Sequence, residues 1–352
     1  LRYLKKIFYN SVAELRNKAN LGLELGLFNG MLDLSLDYFD ERRNGIFMQR
    51  ESIPLTAGFI KQPWSNFGKV TNRGAEAALN FNKRIGKDLF LSVMGTFTYA
   101  HNEITEQDEA DAVVGTNRAR TGHPINQLFG YVADRLFTED DFVDVENGIL
   151  KEEIPAQNFS SKLRPGDIKY VDVNKDGKVD VFDKTAIGGT VDPEIVYGFG
   201  ANLQYKGFDF GVLFQGIGRS WRILSGSIIP GFNRGVTGNM FTNADDRWTV
   251  ENPSQDVFYP RLDDGINKNN SEASTWWLRN MSFLRLKNLE LGYSLPKTWM
   301  QQAGMDGIRF FLRGSNLFTF SKFKLWDPEL NTNNGAAYPI MKSISAGFEI
   351  KF

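Results

Sequence analysis

The chain of 352 residues has no cysteine and only two histidines, His101 and His123. The first absence removes disulfides and thiolate metal sites, and it suits a protein exported with no need of oxidation. The second leaves little for imidazole chemistry. A histidine-based triad or a zinc site needs one of the two beside suitable partners, and neither stands at a known spacing. Charge of one sign is also lacking. Lys and Arg number 41 against 42 Asp and Glu, so there is no basic surface for nucleic acid, and none is expected as a partner. No apolar run approaches the ~18 residues of a membrane-spanning helix. The chain opens on Leu1 without a signal peptide, which reads as a processed or partial chain.

What is abundant is aromatic side chain and glycine: 29 Phe, 11 Tyr, 7 Trp and 34 Gly. A heavy aromatic load with no long apolar run fits β-structure that displays apolar faces. The order of residues says the same. Over the last ten, Ile344, Ala346, Phe348, Ile350 and Phe352 alternate with Ser343, Ser345, Gly347, Glu349 and Lys351, the period of a strand. The alternation recurs over 21–27, 75–81, 89–99, 197–205, 208–214, 289–295 and 308–312. With the strand that follows the Asn29-Gly30 turn, this makes nine.

The connections carry more. Asn29-Gly30 is a tight hairpin turn, because both residues tolerate positive φ. Residues 85–88, Lys206-Gly207 and residues 296–307 are the other short links. Between them come four long connections, at roughly 40–70, 104–193, 217–282 and 321–342. Short and long alternate strictly. A β-sandwich has no reason to gather all its long loops at one end, and its exposed face would be charged. Here the residues off the apolar stripe are mostly Gly, Ser, Asn, Thr and Gln, which suits a wet lumen. The expected fold is all-β, an antiparallel transmembrane barrel with short turns in the periplasm and long loops outside. Nine strands ending at Phe352 put the start of the first strand outside. Bacterial single-chain barrels have an even strand number. Either residues 1–19 hold a tenth strand, or strands are missing before them; LRYLKKIFYN does not alternate, and the second is expected.

Three stretches carry a family resemblance. One is NLGLELGLFNGMLDLSLDYFDERRNGI followed by GKVTNRGAEAALNF. Another is GHPINQLFGYVADRLF, then PGDIKYVDVNKDGKVDVFDKTAIG and YGFGANLQYKGFDFGVLFQG. The third is RWTVENPS, WWLRNMSFLRLKNLELGYSLP and SAGFEIKF. In this order they resemble the C-terminal region of SusC/RagA-type TonB-dependent outer-membrane transporters, over residues 20–352; residues 1–19 match poorly. The resemblance implies the C-terminal half of a 22-stranded plugged barrel, with the plug and the TonB-contacting segment outside this sequence. It implies import of a bulky nutrient, an oligosaccharide or a peptide. The implied partners are a SusD-type surface lipoprotein, the TonB complex reached through the N-terminal region, and outer-membrane lipid. The alternative is a SusC-like barrel serving as a structural subunit of an outer-membrane assembly or secretion complex. A secreted soluble calcium-binding β-protein is a third, more distant reading. The terminal stripe Phe348, Ile350 and Phe352 is expected to serve as the signal read by the barrel-assembly machinery.

Within the longest connection, VDVNKDGKVDVFD places Asp172, Asn174, Asp176, Lys178, Asp180 and Asp183 at positions one, three, five, seven, nine and twelve of a calcium loop, with Gly177 at the sharp turn of position six. Lys178 would offer only its backbone carbonyl. Asp183 stands where an EF-hand has Glu and reaches less far, so a weak structural Ca²⁺ is expected. The bland alternative is a solvated acidic turn in which Asp and Asn close local turns. No catalytic residue is expected, and no enzyme activity. GGTVDPE is not a phosphate loop, since no Lys-Ser/Thr follows. Trp276-Trp277 suits sugar stacking or loop packing equally. Asp327-Pro328-Glu329 and Tyr338-Pro339 resemble family loop positions without a chemical role, and His123 reads as structural.

Overall fold

A computed structural model describes residues 14–159, 162–228, 241–263, 267–302 and 304–352. Nine strands make one antiparallel sheet in which neighbours in sequence are neighbours in space: β1 (Leu15–Leu27), β2 (Leu32–Gln49), β3 (Trp64–Ile85), β4 (Leu89–Glu106), β5 (Ile195–Tyr205), β6 (Phe208–Gly218), β7 (Phe283–Ser294), β8 (Gly307–Ser321) and β9 (Ser343–Lys351). This is the up-and-down order of a barrel wall. Residues 15–19 belong to β1; the question of a further strand in residues 1–13 lies outside the described residues.

The tight turns fall where the sequence placed them. Phe28, Asn29 and Gly30 all have positive φ between β1 and β2, and Lys206 and Gly207 do so between β5 and β6. Such turns match the twist of the strands they join. Because directly paired residues share a face, the register separates two surfaces. One row runs through Leu27, Leu32, Phe81, Val93, Ala201, Val212, Leu289, Gly314 and Ile344. The row beside it, on the opposite face, runs through Gly26, Asp33, Asn80, Met94, Gly200, Leu213, Asn288, Ser315 and Ser343. The first face is apolar on all nine strands and yet uncovered: Leu291 is 50 % exposed and Phe348 65 %. A surface so apolar and so open belongs against lipid. On β4 it extends from Leu89 to Tyr99, about 33 Å of strand at ~3.3 Å per residue. At a tilt of about 40° that is a band ~25 Å high, the thickness expected of an outer-membrane barrel. Aromatic rings gather at its short-turn rim, where Phe208 and Tyr293 pack with centroids 4.4 Å apart.

One expectation about the wall is corrected in detail. The connection expected at 40–70 is mostly strand, since β2 runs to Gln49 and β3 begins at Trp64. These two strands rise beyond the apolar band as an arm. Water lies on both faces there, so no alternation is required to keep it folded. The residues Leu203, Phe210, Leu291, Phe310 and Phe348 share the apolar face, in two adjacent rows near the short turns.

The long connections 107–194 and 219–282 build a lobe at the other end. Short strand pairs brace it, among them Ala133–Leu136 with Ile168–Tyr170 and Trp221–Ile223 with Leu278–Asn280. The lobe is filled in the ordinary way, by buried apolar clusters. One holds Leu224, Tyr259, Trp277 and Met281, with Phe323 from the last connection; a second holds Tyr131, Leu136, Ile168, Tyr170, Val179 and Trp248.

Candidate functional site

The polar face of the sheet carries a ladder of ions near the short turns. Arg309 reaches Asp209 at 2.5 Å and Glu290 at 2.6 Å, and Glu290 also takes Arg313 at 2.8 Å. The four side chains come from β6, β7 and β8, at positions in phase with Asn202 and out of phase with Leu203. Asp209, Glu290 and Arg309 line a concavity of about 830 Å³ together with Arg84, Phe90, Met94 and Asn202. A charged, hydrogen-bonded wall opposite an apolar one is what separates an aqueous lumen from lipid.

At the other end the four long connections are stitched to one another. Arg50, at the start of residues 50–63, pairs with Asp108 at 2.8 Å, and Ser52 donates to the same carboxylate. The Arg50 guanidinium holds Asp108 well below the usual carboxylate range. Asp167, in connection 107–194, is fully buried and accepts from Arg261 Nε at 3.1 Å, Asn267 at 3.0 Å and Asn270 at 2.9 Å, all from connection 219–282. Burial pushes its carboxyl above the ordinary value, and Arg261 and the amides oppose that push. The short helix α1 (Lys268–Ser271) presents this group of asparagines, capped by the Asn267 side chain on the Asn270 amide at 3.1 Å. Arg222 then ties connection 219–282 to 322–342 through Asn331 at 2.8 Å and Asn333 at 3.1 Å. Arg285, buried on the polar face of β7, reaches Asp327 and, at 3.0 Å, Glu329. The Asp327-Pro328-Glu329 run thus has a role that the sequence did not show: it pins the last external connection to the wall. Its partner stands 42 residues away from Asp327, and no local pattern marks the pair.

The acidic loop closes on itself. Asp172 accepts from the Lys175 amide at 2.7 Å and the Gly177 amide at 2.8 Å, with Gly177 at φ +86°. Asn174 and Asp176 are bonded to each other's turn. Asp183 is buried and accepts from the amides of Val173 and Asp180, both at 2.8 Å. Lys178 enters through its ammonium, 2.8 Å from Asp180. Among the described residues no group of three or more acidic or histidine side chains converges as a metal site. In this arrangement the oxygens serve backbone amides and a lysine.

The remaining sequence candidates are structural in place. Trp277 is fully buried and donates to the Asn270 carbonyl at 2.7 Å; Trp276 donates to Phe258 at 3.1 Å. Both pack the lobe, and Trp277 has no face open to a sugar. His101 lies 2.6 Å from Glu194, and His123 meets Phe129 edge-on. Phe348 and Ile350 lie on the apolar face of the edge strand β9, and Phe352 follows it, 87 % exposed.

The family model described as TonB dependent receptor-like, beta-barrel matches residues 13–317. The chain belongs to that family. Its apolar band therefore lies in the bacterial outer membrane, and its fold is that of a TonB-dependent receptor barrel. The TonB-dependent receptor P26 of Formosa agariphila is 28 % identical over 97 % of this chain and 35 % of its own length. The TonB-dependent receptor SusC of Bacteroides thetaiotaomicron is 26 % identical over 95 % of the chain and 31 % of its own length. Among solved structures, the RagAB peptide transporter superposes with a TM-score of 0.71 at 25 % identity, over 96 % of this chain and 35 % of the matched one. The SusC/RagA resemblance is thereby borne out. The receptor-barrel chain spans about a third of the length of these relatives.

Proposed function

We propose that this chain forms the C-terminal part of the barrel of an energised importer, which takes a bulky nutrient, an oligosaccharide or a peptide, across the outer membrane. A SusD-type lipoprotein would close over the external lobe, and TonB would act through the N-terminal region of the full receptor. The observation that carries the reading is the stitched external layer. Four connections are joined by Asp108, Asp167 and Arg222, and Arg285 pins the last of them to the wall, so they offer one ordered surface over a polar-walled lumen. Loops that only capped strands would not need to be tied to one another. Deleting the receptor in its native bacterium should abolish uptake of one such nutrient, and a protonophore should do the same in the parent strain. Copurification should yield a single surface lipoprotein. A large complex of assembly factors with unchanged uptake of every nutrient tried would contradict import and favour the scaffold role.

Two smaller parts of the proposal have their own tests. The Asp172–Asp183 loop binds calcium weakly and stiffens residues 107–194; its support is the residue pattern and the turn at Gly177, and the self-closed bonding stands against it. Chelator and Asp176→Ala should each raise proteolysis in that loop and leave the barrel folded. Identical cleavage with calcium, with chelator and in the variant would end the idea. Phe348, Ile350 and Phe352 act as the barrel-assembly signal. Deleting Phe352 should then lower the outer-membrane amount several-fold while the assembled protein keeps its heat-modifiable mobility. Normal amounts with a lower melting temperature would mean that Phe352 is only one more apolar side chain, worth a few kcal/mol at most.

A further inference from the structure

We infer that the outer end of the β2–β3 arm is a carbohydrate-stacking site built on Trp64. The inference rests on the importer reading only for placing this arm outside the cell. Beyond the apolar band these strands touch no lipid, and their tip still shows aromatic rings. Trp64 and Phe47 stack with centroids 5.4 Å apart and planes 25° from parallel. Trp64 is 51 % exposed and Phe47 50 %. Each ring packs against the other while about half of each residue stays open to solvent. An open indole face held flat by a second ring is a platform for the C–H face of a sugar, because that contact removes apolar area from water without asking the ring for a charge.

The polar groups around the platform have matching chemistry. The register sets Gln49 directly opposite Trp64 and Asn66 directly opposite Phe47, so all four side chains share one face. Gln62 precedes Trp64 by two residues. All three polar groups are amides, which both donate and accept and so fit hydroxyls. The amino groups of Asn66 and Gln62 are spent on the Gly45 carbonyl at 2.7 Å and the Ile53 carbonyl at 2.9 Å. Their carbonyl oxygens are covered and accept no bond. A sugar hydroxyl that reaches them, after a shift of these side chains, satisfies two acceptors that are costly to leave unmade. Arg50, which follows β2, is already committed to Asp108. A ligand read by an aromatic face and neutral amides is a neutral polyhydroxylated one. Exposed Phe59 and Ile60 nearby suit a protein partner as the competing occupant.

The test is calorimetry on the full receptor in detergent, titrated with neutral oligosaccharides of six or seven residues from α-glucan, β-glucan and mannan, and with an uncharged peptide mixture as control. At least one oligosaccharide should bind, with affinity falling about tenfold in Trp64→Ala and about threefold in Gln49→Ala. Trp64→Tyr should keep most of the binding. Heat-modifiable mobility checks that each variant is folded; if Trp64→Ala fails to assemble, Gln49→Ala and Trp64→Tyr decide. Equal affinity in all variants, binding of the peptides alone, or no binding up to 10 mM, a deliberately generous ceiling of about −2.7 kcal/mol, overturns the site. So does loss of a copurifying lipoprotein in Trp64→Ala with sugar binding unchanged. Uptake is not the readout, so failure here leaves import itself untouched.

Discussion

The sheet and the lobe are made from one chain, but they sort their side chains in opposite ways. In the sheet the large apolar groups are left open, as with Leu291 and Phe348, and the ions lie on the other face. In the lobe Leu136, Ile168 and Trp277 are fully buried and most charges lie outside; the buried carboxylates, Asp108, Asp141, Asp167 and Asp183, are held by arginines or backbone amides. The difference teaches where each solvent is. A side chain goes to the phase that costs it least, so lipid on one face of the sheet inverts the rule that holds in the lobe.

The sharpest way to separate the two regions is to break one and watch the other. Asp167→Ala breaks the buried pair, leaving Arg261 only Asp263 and taking the acceptor from Asn267 and Asn270, which costs about 3–5 kcal/mol for a buried pair. Limited proteolysis should then open the lobe, while the sheet keeps its heat-modifiable mobility. Unfolding of both together would show that lobe and wall are one cooperative unit.

Next in size is a depth series on the apolar face. Phe199→Arg, near mid-depth by register with Gly95 and Phe214, should cost about 2–4 kcal/mol in urea unfolding from lipid vesicles. Phe348→Arg, in the rim row, should cost about 0–1 kcal/mol. Val143→Arg on the lobe surface, where Val143 is 73 % exposed, should stay within about 0.5 kcal/mol. Equal costs at Phe199 and Val143 would erase the distinction between a lipid face and a watery one.

The smallest effect belongs to the lobe alone. Burial pushes the Asp141 carboxyl up, but Arg135, bonded at 2.6 Å through two nitrogens, and the Thr138 amide bring it down to about 2. A folded-state value below the unfolded one gives stability that is present above about pH 4 and lost as the pH falls through about 2. With Arg135 partly open to solvent, this is about 1–2 kcal/mol. Protease sensitivity of residues 134–168 should rise between pH 4 and 2, and Asp141→Asn should remove that dependence. The same dependence in the variant would assign the effect to another group.

The sheet was legible in the sequence because its two faces meet two solvents. Period-two stripes such as Tyr197 to Tyr205 record that directly, and Asn29-Gly30 and Lys206-Gly207 mark the turns by their positive φ. The same reasoning lost the arm, where 40–49 reads DERRNGIFMQ. With water on both sides there is no alternation to find. The lobe was less legible still. Asp167 and Arg261 are 94 residues apart, and nothing local joins them. Trp64 was passed over for the more conspicuous Trp276-Trp277, whose burial is set by contacts across the lobe that a linear reading does not contain.

The claim on which all of this stands is that the sheet has lipid on one face and water on the other. A chain with no cysteine allows it to be read residue by residue. Single cysteines at Leu203, Phe210, Leu291, Phe310 and Phe348 should resist a water-soluble maleimide in native outer membranes, and cysteines at Asn202 and Ser345, on the opposite face, should react. The five should become reactive once the membrane is dissolved and the protein unfolded. Equal reaction of both sets in intact membranes would contradict the account.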